Sequence, residues 1–227
     1  MTLAEVAANF TAQGSLRIRS PRMHDDVNGI RVLSETDPLS SSLSSYFDQT
    51  VYSQDTLTVE AVFTVAPAIT DVSIGLMTFF YDDLPGVAGN YRSWAEVGPN
   101  VVDYLVVPVT PTGSATLGDW GAGVAINSTI DVFKANTLYA LLGYDCPVAF
   151  GGVSVAGVDV GNLQIGGPGS TLSSTTRDYF CRLGESVGKP SIPIINSQNK
   201  ATTLVAVCDD VASTAVTFSL IFAQLSA

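Results

Sequence analysis

The chain has 227 residues, of which 46% are hydrophobic and only 14% are charged, and its net charge is −11. A soluble domain usually carries charge on about a quarter of its residues, and so negative a chain is not expected to bind polyanions over its whole surface. So few charged residues do not suffice to solvate the whole surface of a monomer. The chain therefore either buries its residues unusually well or hides much of its surface in an assembly of copies, and we favour the assembly.

The N-terminal region has the composition of an extended arm. Residues 1–14 predict a short amphipathic helix, which is marginal on its own. Residues 16–20 (LRIRS) alternate apolar and basic side chains, which is typical of a short strand or an extended segment. The stretch that follows is rich in Ser, Asp and Pro. We predict an N-terminal arm over residues 1–50 and a folded domain over residues 51–227.

Two long strands are predicted next, over residues 57–65 and 71–81, and they carry the clearest pattern in the chain. In the first strand apolar residues alternate with mostly polar ones, which is the period of a half-buried strand. The second strand is apolar on both faces near its end, which is typical of a strand within a sheet or beneath a neighbouring chain. We expect both strands to lie in the core.

The remaining elements follow in chain order. Helical turns are predicted over residues 90–97 and 175–183. Strands are predicted over residues 101–110, 123–133, 136–146, 149–167, 201–209 and 213–225. Pro108 indicates an edge strand or a strand end, and Gly157 and Gly161 indicate a bulge or a bend.

About eight strands joined by long and uneven connections favour a double-sheet jelly roll, because a meander has short and even hairpins. An immunoglobulin-like sandwich usually needs only about 100 residues. We therefore predict an all-β fold, an eight-stranded jelly-roll β-sandwich with short helical turns in the connections.

The three cysteines, Cys146, Cys181 and Cys208, have no C-x-x-C spacing. This pattern predicts neither a disulfide framework nor a zinc site, and unpaired thiols suit a reducing compartment. The N-terminus lacks the basic and apolar regions of a signal peptide, and no apolar run has the length of a membrane span. We expect a protein that is assembled in a reducing compartment and has no membrane partner.

Residues that support catalysis are sparse. His24 is the single histidine and lies in the polar N-terminal region, so a histidine-based metal centre or catalytic triad is not expected. No P-loop and no dinucleotide fingerprint is present. Adjacent aspartates in a turn do not by themselves provide the two separated carboxylates that a glycosidase needs. We expect no enzymatic activity and no organic cofactor.

Two pairs of adjacent aspartates are candidate calcium ligands, Asp82 with Asp83 and Asp209 with Asp210. Turn aspartates usually hydrogen-bond to their own backbone. Carboxylate oxygens from two chains that meet at a subunit contact would also suit Ca²⁺. Both interpretations stay open at this point.

If these aspartates bind calcium between subunits, chelation of calcium should lower the stability of the assembled particle, because the carboxylates would then repel each other. The measurement is the thermal dissociation of particles with and without EGTA, with Ca²⁺ added back as the control. Dissociation that does not respond to the chelator would contradict the calcium site.

Four arginines lie close together near the N-terminus: Arg17, Arg19, Arg22 and Arg31. They are either solvated or paired surface residues, or a weakly basic surface that faces nucleic acid. The sequence alone leaves both alternatives open.

The layout resembles the coat proteins of small icosahedral viruses, of the single jelly-roll kind found in positive-strand RNA viruses. The resemblance lies in the polar arm, the strands TLTVEAVFTV and VSIGLMTFFYDD, the loop NYRSWAEV, the segment KPSIPIINSQNKATTLVAV and the final strand TAVTFSLIFAQL. It covers residues 50–227. It implies a structural capsid protein of the virion whose jelly-roll shell domain self-assembles into an icosahedral shell around a viral genome.

Many such coats carry an arm rich in Arg and Lys that neutralises packaged RNA, whereas this arm offers only the four arginines named above. The resemblance therefore implies a shell held mainly by contacts of the protein with itself. Contact with viral nucleic acid would be weak, with counterions or polyamines balancing its charge.

A second class of function also fits the sequence, a carbohydrate- or receptor-binding β-sandwich such as a phage fibre or decoration module. Its candidate contact residues are the loop aromatics Tyr91, Trp94 and Trp120. An enzyme on a jelly-roll scaffold is a third alternative. Formation of a closed shell separates the first class from the others, and loss of glycan binding in Trp94→Ala or Trp120→Ala would support the second.

Overall fold

A computed structural model of the chain describes residues 2–10, 14–21, 30–33, 45–50, 55–71, 73–80, 90–116, 119–145, 151–166, 179–208 and 213–226. Within these residues the protein is all-β, with antiparallel sheets and few helices. The chain divides into two units, Met1–Asp82 (unit 1) and Asp83–Ala227 (unit 2). This division differs from the boundary at residue 50 that the composition suggests.

The described part of unit 1 forms two antiparallel sheets of three strands each. The strands are β1 (Thr2–Phe10), β2 (Gly14–Arg19), β3 (Ile30–Leu33), β4 (Ser45–Thr50), β5 (Thr58–Phe63) and β6 (Ser73–Phe80). One sheet has the order β4-β1-β6 and the other has the order β3-β2-β5. The strands predicted over residues 57–65 and 71–81 are therefore confirmed as β5 and β6. They pair with β2 and β1, and not with each other.

The helix predicted within residues 1–14 is wrong, because Thr2–Phe10 forms strand β1. Its pairing with β6 runs from Thr2 opposite Phe80 to Phe10 opposite Ser73. A helix of one or two turns has little stability of its own, whereas a strand between two neighbours satisfies its backbone donors and acceptors on both sides. Because β1 and β2 pair with β6 and β5, much of the region expected to be an arm belongs to a folded unit.

Unit 2 holds the larger sheets and the helices. Its described elements are β7 (Tyr91–Arg92), α1 (Trp94–Val97), β8 (Val101–Val109), β9 (Val124–Ala125), β10 (Leu138–Asp145), β11 (Gly152–Gly157), β12 (Gly161–Gly166), α2 (Tyr179–Val187), β13 (Ile192–Asn196), β14 (Leu204–Cys208) and β15 (Phe218–Leu225). Short 3₁₀ turns cover Gly98–Asn100 and Ser197–Asn199.

The chain of unit 2 alternates between two antiparallel sheets. The five-stranded sheet has the order β7-β13-β10-β15-β8, and the four-stranded sheet has the order β12-β11-β14-β9. From β8 onward the chain changes sheet after almost every strand, and the first and last of these strands, β8 and β15, lie side by side. Apart from β11 and β12, which are consecutive, neighbouring strands in each sheet are therefore distant in sequence.

Several predicted elements of unit 2 are confirmed, with different lengths. The strand predicted over residues 123–133 is only Val124–Ala125, because a turn in which Ser128 N–H bonds to Ala125 C=O ends it. Of the segment predicted over residues 149–167, the described part forms a hairpin of two strands, β11 and β12, and Gly161 adopts a φ of 65° where the second strand begins. A side chain there would be strained, which explains the glycine. Strands β7 and β13 were not predicted.

The core of unit 2 is centred on aromatic rings from neighbouring strands. Tyr139 of β10 and Phe222 of β15 are fully buried, and Phe133 meets both rings edge-on at centroid distances of 4.8 and 5.4 Å. The Tyr139 hydroxyl accepts a hydrogen bond of 2.7 Å from the backbone N–H of Lys134. The polar atom of this buried ring is thereby satisfied, and the loop before β10 is tied to the core.

Phe222→Ala should lower the free energy of unfolding of unit 2 by about 3–5 kcal/mol, because it removes a buried ring and leaves a cavity beside Phe133. The control is Leu204→Ala, which should cost less than about 1 kcal/mol, since Leu204 is 42% exposed. Both tryptophans of the chain, Trp94 and Trp120, belong to unit 2. Urea unfolding followed by tryptophan fluorescence therefore reports on this unit, and equal costs for the two variants would contradict the core described above.

Candidate functional site

An apolar stripe runs along the outer strand of the five-stranded sheet. Among the described strands, β8 pairs only with β15. Val102, Tyr104 and Val106 are 56%, 59% and 59% exposed, whereas Val107 and Val109 of the same strand are fully buried. We call the three exposed residues the β8 stripe. Single exposed apolar side chains are ordinary, but three successive ones on one face of an edge strand indicate a contact surface.

The backbone of β8 is protected against uncontrolled pairing. The N–H of Tyr104 donates a hydrogen bond of 2.8 Å to the carboxylate of Asp103, and Pro108 has no N–H to offer. The register with β15 shifts between Gln224 and Leu225, which leaves Val102 without a direct partner. A charged side chain, a proline and a bulge are the means by which proteins protect the edge of a sheet.

The sequence indicated the strand and the role of Pro108, and missed the stripe. Both faces of the segment 101–109 are apolar, so alternation cannot tell which face is buried. The burial of Val107 and Val109 depends on the rest of unit 2, which only the fold supplies.

A second cluster lies in unit 1, where two arginines of β2 share one carboxylate of β5. Arg17 stands opposite Glu60 in the register, and both its Nε, at 2.8 Å, and an Nη bond to Glu60 Oε2. Arg19 donates to Glu60 Oε1 at 2.6 Å. The hydrogen bonds from Arg19 and then Arg17 hold the pKa of Glu60 below its usual range. We call these three residues the Arg–Glu cluster.

The four arginines proposed to face nucleic acid are thus placed unequally. Arg17 and Arg19 both form ion pairs with the carboxylate of Glu60. Arg31 of β3 lies opposite Arg17 in the register. Arg22 lies outside the described residues. Whether this face meets nucleic acid stays a prediction.

The metal-binding prediction falls outside the described part of the chain. Asp82, Asp83, Asp209 and Asp210 are not among the described residues. In the residues that the structure does describe, no group of three or more His, Cys, Asp or Glu side chains is arranged to hold a metal ion. His24 and Cys146 also lie outside these residues. Cys208 is buried and Cys181 is half-buried, and neither forms a disulfide.

The turn between β11 and β12 is tied to neighbouring segments by Asp159. Its carboxylate accepts hydrogen bonds from the backbone N–H of Asn196, at 3.3 Å, and from the side chain of Asn199, at 2.8 Å. Its backbone carbonyl accepts a hydrogen bond of 3.0 Å from the side chain of Asn90. These hydrogen bonds link three connecting segments of unit 2 and stabilise their arrangement, which indicates a structural role for Asp159.

The three aromatic residues named as candidate contacts for a glycan or a receptor have different surroundings. The Tyr91 hydroxyl donates a hydrogen bond of 2.9 Å to the carbonyl of Val160, and burial raises its pKa to about 12. The indole of Trp94 covers Gly98, where an added Cβ would lie 3.2 Å from the ring. Trp120 is half-buried. The hydroxyl of Tyr91 is therefore engaged within unit 2.

No protein-family model, no curated protein and no solved structure matches this chain. Among the described helices, none combines the length and the hydropathy that a membrane crossing requires. The functional argument therefore depends on the geometry of the chain itself.

Glu60→Gln should lower the thermal stability of the protein at pH 6, and the difference from the wild type should vanish as the pH falls well below 4.5. The physical reason is that the pKa of Glu60 in the folded chain lies below its ordinary value of 4.5. Its contribution to stability is therefore present above that value and is lost as the carboxylate becomes protonated.

Calorimetry of both proteins between pH 3 and pH 6 checks this prediction. Glu185→Gln is the matched control, because Glu185 is an exposed carboxylate of α2 in the other unit. A difference between Glu60→Gln and the wild type that is independent of pH would contradict the role given to the Arg–Glu cluster.

Proposed function

We propose that the strands β8 to β15 form a jelly roll and that the chain is a coat subunit, which self-assembles into an icosahedral shell around a viral genome. The observation that carries the proposal is the order of these strands. Four of them follow the order β8-β15-β10-β13 in one sheet, and the other four follow the order β9-β14-β11-β12 in the second sheet. Two four-stranded antiparallel sheets between which the chain alternates are the arrangement expected of a jelly roll, and β7 adds one short strand beside β13.

A jelly roll can serve several functions, so the choice of a coat subunit depends on the surface. Charged residues make up only 14% of the chain. Large apolar side chains are exposed on the β8 stripe and at further positions of unit 2, namely Ile130, Val132, Leu138, Val158 and Leu204. A subunit whose neighbours in a shell cover such residues accounts for both features, because exposed apolar area mostly marks contact surfaces.

The charge of the chain supports a shell held by contacts of the protein with itself. The net charge is −11, and the guanidinium groups of Arg17 and Arg19 are both bound by Glu60. The interior would therefore attract packaged nucleic acid only weakly, and small cations or polyamines would balance most of the phosphate charge. In this proposal the protein is made in the host cytoplasm and functions in the virion.

Purified protein at neutral pH should form uniform closed particles of many subunits, because the exposed apolar surface of each subunit is removed from water only when neighbours cover it. Light scattering gives the mass of the particles, and negative-stain microscopy shows whether they are closed and uniform. A monomer or trimer that persists over a range of salt, pH and calcium would contradict the proposal. In that case the glycan-binding alternative would be tested next with Trp120→Ala.

A further inference from the structure

Strand β8 has backbone donors that point away from its one described neighbour. In an antiparallel pair, the N–H groups of successive residues point alternately toward the neighbouring strand and away from it. Tyr104 N–H bonds to the side chain of Asp103, which indicates that it points away from β15. Val106 and Pro108 share this direction, since they are two and four residues further along the strand. The outer edge of β8 therefore offers the N–H of Tyr104 and that of Val106, and ends at a proline.

The same two residues supply side chains that suit a neighbouring strand. Tyr104 and Val106 are both 59% exposed, and they lie on one face of β8. A Tyr directly across from a Val on an adjacent strand is a favourable cross-strand pair. Tyr104 and Val106 lie on either side of Leu105. An antiparallel copy of the same segment therefore offers a Val to each Tyr and a Tyr to each Val.

We propose that β8 pairs with β8 of a second copy of the chain, antiparallel and about a two-fold axis at Leu105. In this register Tyr104 lies opposite Val106 of the second copy, and Val106 lies opposite its Tyr104. Both outer N–H groups then donate to carbonyls of the other copy, and the two sheets join into one. A two-fold contact of this kind uses the same surface on both subunits.

Three features of β8 favour this register over its neighbours. The paired segment, Asp103–Val107, avoids both the bulge at Val102 and the missing donor at Pro108. It places Asp103 opposite Val107 of the second copy, so the two carboxylates do not face each other directly, as they would if the axis lay at Asp103. It also brings together the exposed side chains of Tyr104 and Val106 from both copies.

Asp103 acts as a reversible lock on this edge. In the separate chain its carboxylate occupies the N–H of Tyr104, which satisfies the donor and discourages other strands from adding to it. Pairing requires the carboxylate to move to solvent, where Asp103 is already exposed, so that the N–H is free for the carbonyl of the second copy. The lock therefore opposes pairing without preventing it.

This inference specifies one contact between subunits of the proposed shell. It rests on the proposed function only where closed particles are concerned. The pairing of two copies can be measured separately, by analytical ultracentrifugation at concentrations below those at which particles form.

Val106→Pro removes one donor on the outer edge and leaves the bonds to β15 in place, because the N–H of Val106 points away from β15. It should raise the dissociation constant of the pair by roughly tenfold or more, since the hydrogen bond from the N–H of residue 106 is lost in both copies. Val106→Thr keeps the N–H and the shape of the side chain and is the matched control, with pairing close to that of the wild type. Asp103→Ala should strengthen pairing, because it removes the lock.

The possible results separate the edge contact from the shell. The inference would be overturned if Val106→Pro left pairing unchanged or if Asp103→Ala weakened it. It would also be overturned, with the shell proposal left intact, if Val106→Pro formed closed particles as well as the wild type does. Pairing that is lost in Val106→Pro, in a protein that forms no closed particles, would support the edge contact and contradict the shell. A wild-type chain that neither pairs nor forms particles would overturn both.

If tryptophan fluorescence shows that Val106→Pro does not fold, Tyr104→Lys replaces it, with Tyr104→Phe as its control. The lysine keeps the backbone N–H but would place a charge against Val106 of the second copy, and it should weaken pairing to a similar extent. Equal pairing of the Lys and Phe variants would overturn the inference.

Discussion

The five-stranded sheet of unit 2 depends on the insertion of β15, the last strand of the chain, between β10 and β8. Both long strands take their register from it: Tyr139 of β10 lies opposite Gln224, and Val109 of β8 lies opposite Phe218. The inner face of β15 also supplies Phe222 to the aromatic core. Until β15 is in place, β8 has no partner among the described strands. The sheet therefore closes through contacts between residues that are far apart in sequence, which is a slow class of folding event.

In the contact that we propose between two copies, the second strand is added to the outer edge of β8. The strand is anchored on one side by β15 and carries the β8 stripe on its outer face. A carboxylate, a bulge and a proline protect its outer edge against the addition of another strand, and only the carboxylate can move away. The bulge at Val102 and the ring of Pro108 are permanent features of the backbone, and they limit any added strand to the residues between them. The Asp103 carboxylate can rotate away, so it protects the edge without closing it.

The sequence predicted those elements whose pattern is local. Strands β5, β6, β8 and β10 were identified because their apolar residues alternate or form runs that end at turn residues. The local pattern of residues 1–14 predicts a helix and not β1, because the partners of β1, strands β4 and β6, come from far along the chain and leave no signal in that pattern. Strand β13 was missed because Ile-Pro-Ile-Ile-Asn does not alternate and contains Pro193, which argues against a strand in the interior of a sheet. Its neighbours β10 and β7 nevertheless flank it.

The contacts of the candidate sites were also beyond the reach of local sequence patterns. Composition singled out Arg17 and Arg19 as basic residues, but it gave no reason to pair them with Glu60, since that contact follows from the register of β2 on β5. Likewise, the sequence does not distinguish Asp103 from the other acidic residues. Its role follows from the hydrogen bond that its carboxylate accepts from the N–H of Tyr104. Glu60 and Asp159 each accept hydrogen bonds from residues that are distant in sequence, whereas Asp103 accepts one from the next residue. Part of the negative charge of the chain is therefore engaged in hydrogen bonds within each unit. In the proposed shell, the large apolar residues that remain exposed on unit 2 would supply the contacts between copies.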